Sequence, residues 1–229
     1  MIKKILLTAA VAAVAGLAGV QAKDWAKIAR YDASNKEIMA QPNDGRRVVF
    51  LGNSITEGWV KLRPQFFADN GFIGRGISGQ TSYQFLVRFR EDVINLNPKL
   101  VIINVATNDV AENTDVYDED RTFGNIQTMV ELARLHGIKV ILTATLPADG
   151  IPWNAEITNT TDKIVKLNNR VREYAKKMKI PYVDYYSSML ADDGKALDPA
   201  YTKDGIHPTE TGYEVMETLI LPAVRKIVK

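Results

Sequence analysis

The chain has 229 residues, 46% hydrophobic and 24% charged, which excludes a collagenous, coiled-coil or wholly disordered polypeptide and suits one compact domain. Lys and Arg number 29 against 27 Asp and Glu; the resulting net charge of +2 gives no electrostatic ground for nucleic acid or an anionic membrane as partner. There is no cysteine, so disulfides, thiol nucleophiles, thiolate metal sites and a lipid-modified N-terminal cysteine are all excluded.

The first segment reads as an address. Lys3 and Lys4 precede an apolar or small stretch from Ile5 to Val20, and Val20-Gln21-Ala22 offers small residues at the two positions a signal peptidase reads. Residues 1–22 are therefore expected to be a secretory signal, leaving one domain over 23–229 and an export address in the bacterial periplasm or cell exterior. The stretch is short, rich in Ala and Gly, and ends in a cleavage-like tripeptide, which speaks against a membrane anchor of about 20 residues. Losing Lys3 and Lys4 leaves the two signs of charge balanced. With a bacterial-type leader, the sequon Asn159-Thr160-Thr161 reads as chance.

Five short apolar runs follow, β-branched or aromatic and bounded by turn or polar residues: Val48 to Leu51, Phe72 to Ile77, Leu100 to Val105, Lys139 to Leu146 and Pro181 to Tyr185. They predict strands. Between and after them apolar residues recur at three and four, as in Leu86, Phe89, Val93 and Leu96; Phe123, Ile126, Val130 and Ala133; Ile164, Leu167, Val171, Tyr174 and Met178; and Tyr213, Met216, Ile220, Val224 and Ile227. Each set is one stripe of a helix. Strands alternating with helices of this length imply right-handed crossovers and a parallel sheet covered on both faces. The third and fourth runs, nearly continuous in apolar residues, suit central strands. The segment Leu146 to Thr160, with Pro147, Gly150 and Pro152, is a long loop at the carboxyl end of the fourth strand, the edge where ligands bind in such sheets.

Four motifs fall at that edge. Gly52-Asn53-Ser54-Ile55-Thr56 follows the first strand. A serine there can either cap the next helix or present its hydroxyl beside free N–H groups that face a developing oxyanion. The second glycine of a G-x-S-x-G elbow is missing. Gly74-Arg75-Gly76-Ile77-Ser78-Gly79 spells G-x-G-x-x-G, but it follows the second strand and no acidic residue ends a strand about 20 positions on, so a dinucleotide site is not supported. A glycine loop aiming the Gly79 N–H into the crevice fits better. Asn104-Val105-Ala106-Thr107-Asn108-Asp109 ends the third strand, where Asn108 can donate into the crevice and Asp109 can cap the following segment; an ordinary Asn-Asp turn is the alternative. Finally, Asp204-Gly205-Ile206-His207-Pro208 precedes the last helix. Asp204 can fold back to hold the Nδ1 proton of His207 and leave Nε2 as a base. The other histidine, His136, precedes Gly137 at a helix end and reads as a cap.

In this order the blocks resemble those of the SGNH hydrolases, also called GDSL-like esterases, which supply Ser, Gly, Asn and His. Ser54 matches the first block, Gly79 the second, Asn108 the third, and Asp204 with His207 the last. The resemblance runs from about Val48 to the C-terminus. It implies a three-layer α/β/α sandwich with a five-stranded parallel sheet in the flavodoxin-like order 2-1-3-4-5, no metal or cofactor, and hydrolysis of carboxylic esters. The implied triad is Ser54, Asp204 and His207, with Ser54, Gly79 and Asn108 forming the oxyanion hole. Two positions depart from the family pattern: Asn53 stands where aspartate is usual, and Ala106 where glycine often opens the third block.

The expected substrate is a small-molecule or glycan ester, most closely an acetylated carbohydrate. A lipid-directed acylhydrolase or thioesterase and a non-catalytic glycan-binding module are the alternatives. Trp59, Tyr83 and Trp153 are candidates for an aromatic wall against a sugar ring, burial in the core being the commoner fate of such residues.

Overall fold

A computed structural model describes residues 24–228; the leader expected over residues 1–22 lies outside them. The sheet has five parallel strands, β1 (Val48–Gly52), β2 (Phe72–Gly76), β3 (Leu100–Ile103), β4 (Lys139–Thr143) and β5 (Tyr182–Val183), in the order β2-β1-β3-β4-β5. This is the expected fold and order. The helices are α1 (Asp32–Ala40), α2 (Ser54–Leu62), α3 (Pro64–Asn70), α4 (Ser82–Asp92), α5 (Thr107–Val110), α6 (Glu119–Leu135), α7 (Thr160–Met178), α8 (Tyr185–Met189) and α9 (Glu210–Ile227).

Side chains alternate across the pleat, so each central strand feeds two cores. Val49, Leu51, Val101, Ile103, Val140 and Leu142 face one way and pack with Phe85 and Phe89 of α4, Ile126 and Val130 of α6, and Leu167 and Val171 of α7. Val48, Phe50, Leu100, Ile102 and Ile141 face the other way and meet Trp59 of α2, Phe66 and Phe67 of α3, and Tyr213, Met216 and Ile220 of α9. That double burial is why these strands carry no wet face in the sequence.

Boundaries depart from expectation where polar side chains redirect the backbone. The fourth strand ends at Thr143 rather than Leu146, because Asn168 of α7 takes the Thr145 N–H at 2.9 Å and returns its amide to the Thr145 carbonyl. The fifth is only Tyr182–Val183, because Asp184 accepts the Ser187 N–H and starts α8. The stripe ending at Leu96 splits into α4 and a single 3-10 turn, Ile94–Leu96.

Candidate active site

Ser54 opens α2, but it is not the helix cap. Asn53 accepts the Ile55 N–H on its Oδ1 at 3.0 Å, so the first-turn donor is met by the residue before the serine. An amide oxygen serves here as an aspartate would, which accounts for the first departure from the family pattern. The serine hydroxyl is thereby free, and its Oγ lies 2.9 Å from His207 Nε2.

The His207 ring is held from its other side by Asp204, with Nδ1 to Oδ2 at 2.7 Å. Asp204 Oδ1 accepts the backbone N–H groups of Ile206 (2.9 Å) and His207 (2.8 Å), a wrap that requires the left-handed turn at Gly205, φ +81°. Thr202 braces the loop, accepting from the Gly205 N–H and donating to the His207 carbonyl. Partial burial works to raise the Asp204 carboxyl, but the N–H and ring of His207 and the Ile206 N–H outweigh it and hold it at about 2. His136 caps α6 just before the amino end of β4, at the opposite edge of the sheet from His207.

The turn carrying Gly79 is fixed on every side. Glu57 of α2 accepts the Ser78 N–H at 2.8 Å and the Ser78 hydroxyl. Burial works against that carboxylate, yet the Ser78 donors and Lys61 lower it to about 2. Gln80 N–H closes the turn on the Ile77 carbonyl, Asn113 donates to the Gly79 carbonyl at 3.2 Å, and Asn108 donates to the Gln80 carbonyl at 2.9 Å. Gly79 itself has φ +81°. Among the described residues, nothing accepts the N–H of Gly79 or of Ser54. The Asn108 amide keeps one hydrogen beyond its bond to Gln80.

Gly74 and Gly76 serve packing rather than a phosphate: a Cβ would lie 2.3 Å from Val60 Cγ2 at the first and 2.2 Å from the Glu57 nitrogen at the second. Asp109 caps a different helix from the one expected. Fully buried, it accepts the Ser82 N–H and hydroxyl at the start of α4. Burial pushes its carboxyl up to about 6 against those bonds. The second family departure, Ala106, has φ +96° and ψ −18°, a conformation that glycine adopts without strain.

Sequence reasoning missed the struts beneath the site. Arg88, wholly buried on α4, donates to the Gly52 carbonyl (2.9 Å), to Gln80 Oε1 (2.6 Å) and to Asp92 (2.8 Å). The signal was an opposite-charge pair at i, i+4 on the same face as Phe85 and Phe89. Asn113 carried no motif at all.

The aromatic residues divide. Trp59 stacks between Phe66 and Tyr213 in the core and donates to Glu217, so it takes no part in a wall. Tyr83 is half-buried on α4. Trp153 is exposed, with its ring centroid 6.1 Å from that of His207. Among the described residues, no group of three or more His, Asp or Glu side chains is arranged to hold a metal, and no helix is long and apolar enough to cross a membrane.

Comparison with known proteins agrees with this architecture. A solved structure from Bacteroides fragilis assigned to the acylhydrolases is 62% identical, with a TM-score of 0.88 over 90% of this chain and 100% of that one. A GDSL-like lipase of Bacteroides thetaiotaomicron is 59% identical, with a TM-score of 0.86 over 88% and 98%. An acetylxylan esterase of Xylanibacter ruminicola is 26% identical over 227 residues, 83% of this chain; the chain spans 45% of that relative's length. The model of the GDSL-like lipase/acylhydrolase family matches residues 50–215. The chain therefore belongs to the GDSL-like lipase/acylhydrolase family, a family of enzymes that hydrolyse carboxylic esters.

Proposed function

We propose that the protein is an exported serine esterase that removes acetyl or similarly small acyl groups from carbohydrate. The observation that carries the chemistry is the unbroken relay from Ser54 Oγ to His207 Nε2 and from His207 Nδ1 to Asp204. His207 takes the Ser54 proton as Oγ bonds to the ester carbonyl carbon, and Asp204 stabilises the imidazolium that forms. The carbonyl oxygen becomes an oxyanion, met by the N–H groups of Ser54 and Gly79 and by the Asn108 amide. Collapse breaks the carbon–alkoxide bond, and the leaving oxygen takes the proton from His207. Water then gives one proton to His207 as its oxygen attacks the acyl-serine; collapse breaks the carbon–Oγ bond, His207 returns the proton to Ser54, and the carboxylic acid leaves and ionises in solution.

The choice of an acetylated carbohydrate draws support from the acetylxylan esterase among the relatives, and export rests on the leader. The test is a panel of nitrophenyl esters of increasing acyl length beside acetylated polysaccharides. Turnover that falls sharply beyond acetate, with acetate released from the polysaccharide, supports the reading. Rates that climb with chain length would make the protein a lipid-directed acylhydrolase, and absence of any turnover a non-catalytic module.

A further inference from the structure

Trp153 is 46% exposed, its ring open to solvent beside the His207 loop. Its backbone is held from both sides. Ile151 is buried beside Ile206, Val110 and Ala111 in a small apolar cluster, so the Trp153 loop and the His207 loop share one foundation. The Asn154 N–H closes a turn on the Ile151 carbonyl at 3.0 Å, and the Asn154 amide reaches the Ala111 carbonyl at 3.2 Å. The indole is held as well: its Nε1 donates to Asn113 Oδ1 at 2.9 Å, and the same Asn113 amide donates to the Gly79 carbonyl. The polar edge of the ring is thus satisfied within the protein, while the ring lies beside His207 at an interplanar angle of 31°.

Hydrolysis fixes which half of an ester meets that ring. The departing alkoxide must come within hydrogen-bond reach of His207 Nε2 to take its proton, so the alcohol half is delivered to the His207 side of the serine. From this we propose that Trp153 is a substrate-binding residue for the alcohol half, a platform on which the apolar face of a pyranose ring lies. Asn113 is the positioning residue that clamps this platform to the Gly79 turn. The inference rests on the serine-esterase reading above.

The acyl-enzyme is the same for every acetate ester, so two acetates that differ only in their alcohol isolate the platform. The experiment compares an acetylated methyl xyloside with 2-methoxyethyl acetate, measuring kcat/KM for the parent and for Trp153→Ala, Trp153→Phe and Asn113→Ala. Loss of one ring contact predicts a drop of about ten-fold for the xyloside in Trp153→Ala, with the open-chain ester nearly unaffected. Trp153→Phe keeps an aromatic face and restores most of the ring-to-chain ratio. Asn113→Ala lowers the ratio as Trp153→Ala does and also slows the open-chain ester, because the Gly79 turn loses its brace. Equal effects of Trp153→Ala on both esters, or none, would overturn the platform while leaving the esterase reading intact. A parent that hydrolyses neither ester would overturn both. Thermal unfolding of each variant identifies any loss that comes from misfolding, and for a misfolded Trp153→Ala the ratio in Trp153→Phe and Trp153→Leu decides.

Discussion

The guanidinium of Arg88 lies inside the protein and donates to the carbonyl of Gly52, two residues before Ser54, at 2.9 Å. Through its second bond, to Gln80, the same side chain reaches the residue after Gly79. The corner that bears the serine and the turn that bears the glycine are thereby tied to one rigid cation. Arg88→Met takes the guanidinium partner from buried Asp92, which keeps the Asn35 amide as a donor, and is expected to cost about 3 kcal/mol in urea unfolding. Adding Asp92→Leu should recover part of that stability and little of the esterase activity, because the Gly52 carbonyl keeps the Ile77 N–H but the guanidinium that ties it to Gln80 is still missing. Full recovery of activity in the double variant would show that Arg88 matters only for folding.

Asp204 both orients the His207 ring and organises its loop. Asp204→Asn presents an amide to Nδ1 and disfavours the tautomer that leaves Nε2 as acceptor. A fall in kcat of about 10³ to 10⁴ is expected with the fold retained. Steady-state kinetics together with circular dichroism checks it; a loss under ten-fold would remove Asp204 from the proposed mechanism.

Ala106 is buried and held at φ +96°, where a Cβ is strained. Ala106→Gly relieves that strain, worth roughly 1 to 3 kcal/mol, against the greater freedom glycine gives the unfolded chain. The expected net gain is about 1 kcal/mol, a rise in Tm of about 2 to 4 °C by calorimetry. A lower Tm would mean that the turn is relaxed with alanine.

Stability should respond to pH through opposing carboxyls. Burial raises Asp109 to about 6 from an ordinary 3.8, so its contribution is fully present below 3.8 and is lost as pH rises through 6. Glu57 and Asp204 are held at about 2, so their contributions are present above 4.5 and 3.8 and are lost as pH falls towards 2. The Tm should therefore rise as pH is lowered from about 7 to about 5 and decline below about 4. In Asp109→Asn the rise between 7 and 5 should disappear, which a Tm series on both proteins measures.

The parallel sheet was legible in its apolar strands, whereas the strand order and the grouping of the candidate site came through the family resemblance, because each motif alone reads equally as an ordinary cap or turn. The central strands are apolar on both faces, and Ser54, Gly79 and Asn108 follow the ends of β1, β2 and β3, while the Asp204–His207 pair lies beyond α8, ahead of the last helix. Short elements were not: α3, α5 and α8 have too few turns to show a stripe, and β5 is cut to two residues by the cap at Asp184. Arg88, Asn113 and Thr202 act through partners distant in sequence or through backbone atoms, and composition does not reveal such bonds. Trp59 and Trp153 are chemically identical in the sequence; only packing sends one to the core and leaves the other beside His207.

The most direct test of the account is turnover of nitrophenyl acetate by purified Ser54→Ala beside the parent. With the hydroxyl gone, His207 has no nucleophile to activate, and the rate should fall by at least about 10³ while Tm stays near that of the parent. A Ser54→Ala enzyme as fast as the parent would contradict the assignment of this serine as the attacking group.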